Sequence, residues 1–345
     1  MKIKRLLIIA SVSVFMAFFG SHPVKAIECL RAPLPPALDA LTSDSAVAFS
    51  TVEVDSWDGT APAPIDDNIY YAFMPEKTVP TVGFIILPGG NCDPRSYAPA
   101  AHAIAAKGFF TCIIPMPKCV AMLGYMRADR IIQDHAKIEK WVMGGHSVGG
   151  TAACPYAKTS GKLSGVVIWA SLADPSSELD KTTIKVLSVY GSLDGRATPE
   201  AVKENAVYLP ADTIFFEIEG GNHTQFGWID PSPYPYPYLE QDNAATITIE
   251  EQQEIIVRVT ADFLKQFNKN ICPVVYLLGK DDQRVKTVRK FRDELLAKSA
   301  SGQDIIELYK KNGAQLIAIF ENSQVIKNAA RKLLELGIPV IEFLL

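Results

Sequence analysis

Only five histidines occur in this chain of 345 residues: His22, His102, His135, His146 and His223. Chemistry that needs an imidazole near neutral pH therefore has few candidates. There is no C-x-x-C pair and no His/Cys cluster with the spacing of a zinc site, so no metal is expected and the chain is read as needing no cofactor. The apolar stretch at the N-terminus, Leu6 to Phe19, is shorter than the roughly 20 residues that cross a bilayer, so no stable membrane span is expected in the mature protein. Internal repeats and long low-complexity tracts are absent; the one biased stretch is Asp230 to Tyr238, where Pro and Tyr alternate.

What stands at the N-terminus reads as an export signal over residues 1–26. Lys2, Lys4 and Arg5 supply the positive region, Leu6 to Phe19 the apolar region, and Val24-Lys25-Ala26 a V-x-A cleavage site. Ile27 and Glu28 before Cys29 do not suit a lipoprotein signal, which favours small residues there. The expected location is the periplasm or the cell exterior. The chain carries net −4, and removing the leader takes away four more cations, Lys2, Lys4, Arg5 and Lys25. An acidic protein has no electrostatic footing on nucleic acid, so no nucleic-acid partner is expected. All six cysteines, Cys29, Cys92, Cys112, Cys119, Cys154 and Cys272, follow the leader, and export permits disulfides among them. Spacing does not choose the pairs. Cys112 lies in an apolar, strand-like run and reads as a buried thiol.

Strands and helices alternate along the body. Val47 to Trp57 and Asn68 to Met74 read as an antiparallel start. Thr81–Leu87, Phe109–Ile114, Lys140–Gly144, Val166–Ala170, Lys185–Tyr190 and Thr213–Ile218 are apolar strand candidates. Helical patterns cover Tyr97–Lys107, Tyr125–Ile138, Ser147–Lys158 and Ile249–Phe267. In the second of these, Met126, Ile131, Ile132, His135 and Ile138 are expected on one side. Apolar strands alternating with helices predict an α/β fold over residues 27–270, with a mostly parallel sheet covered by helices on both faces. Ligands of such sheets lie beyond the carboxyl ends of the strands. From Ile271 the character changes. Residues 271–345 hold 12 cations and 9 anions, against 18 and 29 in residues 27–270. They read as a small helical C-terminal extension with short amphipathic helices at Arg284–Ala297, Gln303–Lys311 and Gln324–Leu336.

Gly145-His146-Ser147-Val148-Gly149 is the motif that carries chemistry. A G-x-S-x-G between a strand and a helix puts its serine on a strained turn with the hydroxyl clear of the backbone. A serine hydroxyl is a weak nucleophile at neutral pH. It needs a neighbouring general base, and the base needs a carboxylate to hold its tautomer. Elimination points to His223. His22 lies in the leader, His146 sits in the serine turn, and His102 and His135 lie in upstream helices. His223 follows a strand in Glu219-Gly220-Gly221-Asn222-His223, at the same sheet edge as Ser147. The acid is expected at Asp194, just beyond the strand Lys185–Tyr190 in Gly191-Ser192-Leu193-Asp194-Gly195. Asp174, in Ala173-Asp174-Pro175, is the second candidate and the better turn former. The order serine, acid, histidine is that of α/β-hydrolases.

A tetrahedral intermediate also needs two aimed N–H donors. One is expected from Val148, directly after the serine. The other should come from the loop after Thr81–Leu87, where Pro88 has no N–H. Gly90 is the first choice and Asn91 the second.

Together these segments resemble the α/β-hydrolase superfamily over roughly residues 45–270. Pro88-Gly89-Gly90, the serine turn through Gly150, Gly191 to Gly195, and Gly220-Gly221-Asn222-His223-Thr224-Gln225-Phe226-Gly227 occur in the family's order. The last, with Asp93-Pro94-Arg95-Ser96-Tyr97, is similar to capless bacterial carboxylesterases and dienelactone hydrolases. The latter normally carry a cysteine nucleophile, so Ser147 departs from that chemistry. The resemblance implies a triad of Ser147, Asp194 and His223. The segment from Cys272-Pro273 resembles the CFI-box C-terminal segments of some exported bacterial proteins, although Val274-Val275-Tyr276 departs from their opening.

The activity that follows is hydrolysis of a small-molecule carboxylic ester through an acyl-enzyme. The alternative is a non-catalytic binding protein of the same fold acting through its C-terminal segment. Only Leu172 to Thr183 separate two successive strands after the serine, too short for a helical cap, so an open site is expected. Asn91, Trp169, Tyr234 and Tyr236 are the candidate pocket residues, with Tyr238 beside them and a core position as the competing assignment for Trp169.

Overall fold

The computed structural model describes residues 29–58, 68–231, 242–268, 272–279 and 282–345. The leader and Tyr234, Tyr236 and Tyr238 lie outside these residues. Eight strands form one sheet: β1 (Val47–Glu53), β2 (Ile69–Pro75), β3 (Val82–Leu87), β4 (Phe110–Ile113), β5 (Lys140–His146), β6 (Leu163–Trp169), β7 (Lys185–Gly191) and β8 (Ile214–Ile218). Their spatial order is β1-β2-β4-β3-β5-β6-β7-β8. β2 runs antiparallel to both β1 and β4, and every other pairing is parallel.

The central strands are apolar on both faces because both faces are covered. All six residues of β3 are buried, and successive side chains enter opposite cores. Phe84 and Ile86 join Val142, Val167 and Leu187 beneath α2 (Ala98–Ala106) and α6 (Ile249–Lys265). Ile85 and Leu87 join Met143, Val166 and Ile168 on the other face, beneath α3 (Ala128–Asp134) and α4 (Val148–Ser160). Each such side chain contributes about 1.5–3 kcal/mol by leaving water. The remaining helices of the body are the short α1 (Pro35–Asp39) and α5 (Pro199–Asn205). α6 starts at a capping box, in which the Thr248 hydroxyl accepts the Glu251 N–H and the Glu251 carboxylate accepts the Thr248 N–H.

One helix is shorter than the sequence pattern predicts. Residues Tyr125–Arg127 form a 3₁₀ turn, α3 ends at Asp134, and Met126 is exposed. His135 has left helical geometry (φ −112°, ψ 49°). Its ring lies 4.1 Å from that of Phe110, and its Nε2 is 3.0 Å from the Tyr70 hydroxyl. Packing onto the sheet there outweighs one more helical turn.

Two of the C-terminal helices are longer than expected, and the one expected over Arg284–Ala297 ends earlier, at Glu294. α7 (Pro273–Leu278), which the sequence pattern did not predict, precedes α8 (Gln283–Glu294), α9 (Ala300–Asn322) and α10 (Gln324–Leu344). α9 continues through the buried Gly313 and α10 through the exposed Pro339, beyond the ends expected at Lys311 and Leu336. These helices hold one another. The Tyr309 hydroxyl accepts the Val274 N–H at 3.1 Å, the Arg331 guanidinium donates to the Leu277 carbonyl at 2.7 and 3.0 Å, and the Lys327 ammonium lies 4.6 Å over the Tyr276 ring. No helix among the described residues is long and apolar enough to cross a membrane.

Candidate active site

Ser147 stands between the end of β5 and the start of α4, with φ 52° and ψ −126°. Four hydrogen bonds hold its backbone in that strained region. Its N–H donates to the Trp169 carbonyl at 2.9 Å. Its carbonyl accepts the Ser171 hydroxyl at 2.6 Å and the N–H groups of Gly150 and Thr151 at 2.9 and 3.2 Å. The motif's glycines follow from close approach. A Cβ at Gly145 or at Gly149 would lie 2.1 Å from the Leu87 carbonyl oxygen on β3.

The imidazole of His223 meets Asp194. Nδ1 lies 3.1 and 3.0 Å from the two carboxylate oxygens, with His223 3% and Asp194 2% exposed. A carboxylate only accepts, so Nδ1 carries a proton, and in the neutral ring Nε2 is the acceptor. Asp194 is itself held by the Arg196 and Ala197 N–H groups at 2.8 and 2.7 Å. Asp174 takes the other role foreseen for it. Its carboxylate accepts the Ser176 N–H at 3.0 Å and the Ser176 and Ser177 hydroxyls, closing a turn.

His223 Nε2 is buried and has no hydrogen-bond partner, so no bond joins it to the Ser147 hydroxyl. The link between the two is His146, the residue before the serine, whose ring centroid is 4.6 Å from that of His223. The His146 ring is also stacked with Phe226, with centroids 5.9 Å apart. Its Nδ1 is 2.8 Å from the Tyr97 hydroxyl, which accepts the Gly89 N–H at 2.9 Å. Burial, then the nearby His223 and Arg196, hold the His146 pKa well below its usual 6.5, so this ring is neutral.

The loop after β3 approaches the serine from the other side. A Cβ on Gly90 would point at the Val148 side chain, 3.4 Å from its Cγ2. Val148 is the first residue of α4, where a backbone N–H has no partner inside the helix. The Gly90 N–H makes no hydrogen bond among the described residues. Asn91 corrects one expectation: its N–H is already given to the Cys119 carbonyl at 2.9 Å, so it is not an alternative donor. Trp169 corrects another. It is fully buried, its indole N–H donates to Thr260 at 3.1 Å and its ring meets Phe84 edge-on, so it belongs to the core and not to a pocket wall.

Several partners of the site were not foreseen. Asp242 accepts backbone N–H groups from Gly195, His223 and Thr224. The Gln252 side chain accepts the Asn222 N–H at 3.0 Å and donates to the Asn222 carbonyl at 2.9 Å. Cys29 and Cys119 form a disulfide. No sequence signal marks these, because each partner is distant along the chain. Among the described residues, the other two histidines sit apart from this cluster: His102 lies against Phe73 and 3.7 Å from Asp44, and His135 lies against Phe110.

A family model described as an alpha/beta hydrolase family matches residues 83–254. Among solved structures, the chain is similar to the esterase domain of a Rhodothermus marinus protein at 12% identity and a TM-score of 0.42, over 51% of this chain and 90% of that one. It is similar to a predicted CIB-like hydrolase from Thermoplasma acidophilum at 16% identity and a TM-score of 0.44, over 63% of this chain and 98% of that one. No curated protein matches.

Proposed function

Because this chain belongs to the α/β-hydrolase superfamily, we propose that it is an exported serine hydrolase that cleaves small carboxylic esters through an acyl-enzyme. The observation that carries the reading is the buried, partnerless Nε2 of His223, whose opposite nitrogen is fixed by Asp194, in a ring packed against the residue preceding Ser147.

Ser147 Oγ attacks the ester carbonyl while His223 Nε2 takes its proton, and Asp194 stabilises the imidazolium that results. The N–H groups of Gly90 and Val148 hold the oxyanion; losing one such donor typically costs about 2.7–4 kcal/mol. Collapse expels the alcohol oxygen, which takes the proton back from His223 and leaves an acyl group on Ser147. Water then gives a proton to His223 and attacks the acyl carbonyl, releasing the acid and restoring the serine. Between β6 and β7 the chain makes only two short 3₁₀ turns, Pro175–Ser177 and Leu179–Lys181. The lack of a helical cap between these two strands supports small, soluble esters as substrates. The same reading treats residues 1–26 as a cleaved leader, 27–270 as the hydrolase body and 271–345 as a separate helical segment. The disulfide supports an oxidising destination.

Turnover of short-chain aryl esters and labelling by a fluorophosphonate should both be present in the wild type and absent in Ser147→Ala. Undiminished turnover in the variant, or labelling at another residue, sinks the assignment. An acyl-length series run on the wild type then ranks the substrates.

A further inference from the structure

Residues Cys29 to Leu34 form a strap between the loop after β3 and the segment after His223. On one side, the Arg31 N–H donates to the Asn91 carbonyl at 3.0 Å, and the Arg31 carbonyl accepts the Asp93 N–H at 3.0 Å. On the other, the Leu34 N–H donates to the Trp228 carbonyl at 2.9 Å, and the Ala32 carbonyl accepts the Asp230 N–H at 3.0 Å. The Arg31 guanidinium adds a bond to the Asp230 carbonyl at 3.0 Å. The Cys29–Cys119 disulfide anchors the start of the strap.

Asn91 is gripped from both ends by this arrangement. Cys119 takes its N–H and Arg31 its carbonyl, and the two holders are joined through the disulfide. The backbone at the junction is strained. Asn91 (φ 60°), Lys118 (φ 54°) and Cys119 (φ 55°) are all left-handed without being glycine. Such conformations persist only where the surroundings enforce them. Gly90, immediately before Asn91, has the N–H free to meet an oxyanion beside Val148.

The geometry points to Cys29 and Cys119 as positioning residues for ester cleavage: their disulfide holds Asn91 in its left-handed form and so fixes the direction of the Gly90 N–H. This rests on the reading of Ser147 as nucleophile and Gly90 as oxyanion donor. A disulfide that merely stapled the fold would change melting and leave the chemical step alone. One that aims an oxyanion donor lowers kcat with little change in KM, because the donor acts on charge that develops only in the transition state.

The test compares the wild type with Cys29→Ser, Cys119→Ser and the double variant, well below each melting midpoint and with folding checked by circular dichroism. Steady-state kinetics on an aryl ester are paired with inhibition by an alkyl trifluoromethyl ketone, whose hemiketal oxyanion occupies the same donors. The single and double variants should lose about 10- to 100-fold in kcat to the same extent, hold KM within about twofold, and bind the ketone correspondingly more weakly. Arg31→Pro keeps the disulfide and deletes the N–H that Asn91 accepts, so the same pattern is expected there even if the cysteine variants fold poorly. A kcat within about twofold of wild type in folded variants overturns the proposal. Ser147→Ala separates the two levels: if it is inactive while the strap variants keep full kcat, the strap assignment alone fails, and if it stays active the underlying reading fails first.

Discussion

Asp242 accepts the backbone N–H of His223 at 3.3 Å with the same carboxylate oxygen that takes the Gly195 N–H at 3.1 Å. Its other oxygen takes the Thr224 N–H at 2.7 Å. One side chain thus ties the loop that carries Asp194 to the turn that carries His223. Asp242→Ala leaves those donors unpaired and lets the two loops drift apart. A misplacement of about 1 Å can cost roughly 10²-fold in rate, so kcat on an aryl ester should fall by about that factor with the fold retained. Asp242→Asn keeps one acceptor oxygen and should fall between. Equal kcat in wild type and Asp242→Ala would show that the clamp does not position the pair.

Tyr97 is bonded to the other side of the cluster. Tyr97→Phe removes the hydroxyl that is hydrogen-bonded to His146 and accepts from Gly89, leaving both without that partner in a buried place. An unsatisfied buried polar group costs about 1–3 kcal/mol, and urea unfolding should register a loss of at least that order. An unchanged midpoint would mean the hydroxyl contributes nothing net.

How much of this arrangement was legible in the sequence depends on the range of each interaction. The strands of the sheet announce themselves because a strand covered on both faces must be apolar throughout, as Val82–Leu87 is. The serine turn is legible because its geometry needs glycine at two fixed positions. His223 emerges by elimination, and Asp194 ranks over Asp174 because an Asp before Pro is the better turn former. The clamp by Asp242, the Cys29–Cys119 pairing and the strap are invisible in sequence because each joins residues far apart in the chain. The lengths of α3, α9 and α10 fail for a related reason. Where a helix stops is decided by what its end packs against: His135 leaves α3 to meet Phe110, whereas Gly313 and Pro339 are carried inside continuous helices.

Gly149 and Gly161 separate steric from conformational need. A Cβ at Gly149 would collide with the Leu87 carbonyl at 2.1 Å, and that oxygen belongs to a central strand with no room to retreat. Gly161 has φ +62° and nothing within 4 Å of its would-be Cβ. Gly149→Ala should therefore destabilise by more than about 4 kcal/mol or fail to fold, while Gly161→Ala should cost only the roughly 1–2 kcal/mol of a left-handed non-glycine residue. Thermal unfolding of the two variants measures the contrast. Similar losses would mean that the serine turn is not sterically locked.

Burial also sets a pH dependence. His146 is neutral in the folded protein because burial, then His223 and Arg196, depress its pKa well below 6.5. In the unfolded chain it titrates near its reference value of about 6.5. Below that pH the unfolded state binds a proton that the folded state refuses, so stability is fully present above about 6.5 and is lost as the pH falls towards the folded value. The slope from this one group cannot exceed about 1.4 kcal/mol per pH unit. Burial lowers the His135 pKa too, and it acts in the same direction. His146→Asn keeps a hydrogen-bonding partner for the Tyr97 hydroxyl but removes the titration. Urea midpoints measured from pH 7 to pH 5 should fall more steeply for the wild type than for His146→Asn, so that the two curves approach each other in acid. Parallel curves would mean that His146 protonates as readily folded as unfolded, and that its ring does not need to be neutral to pack against His223.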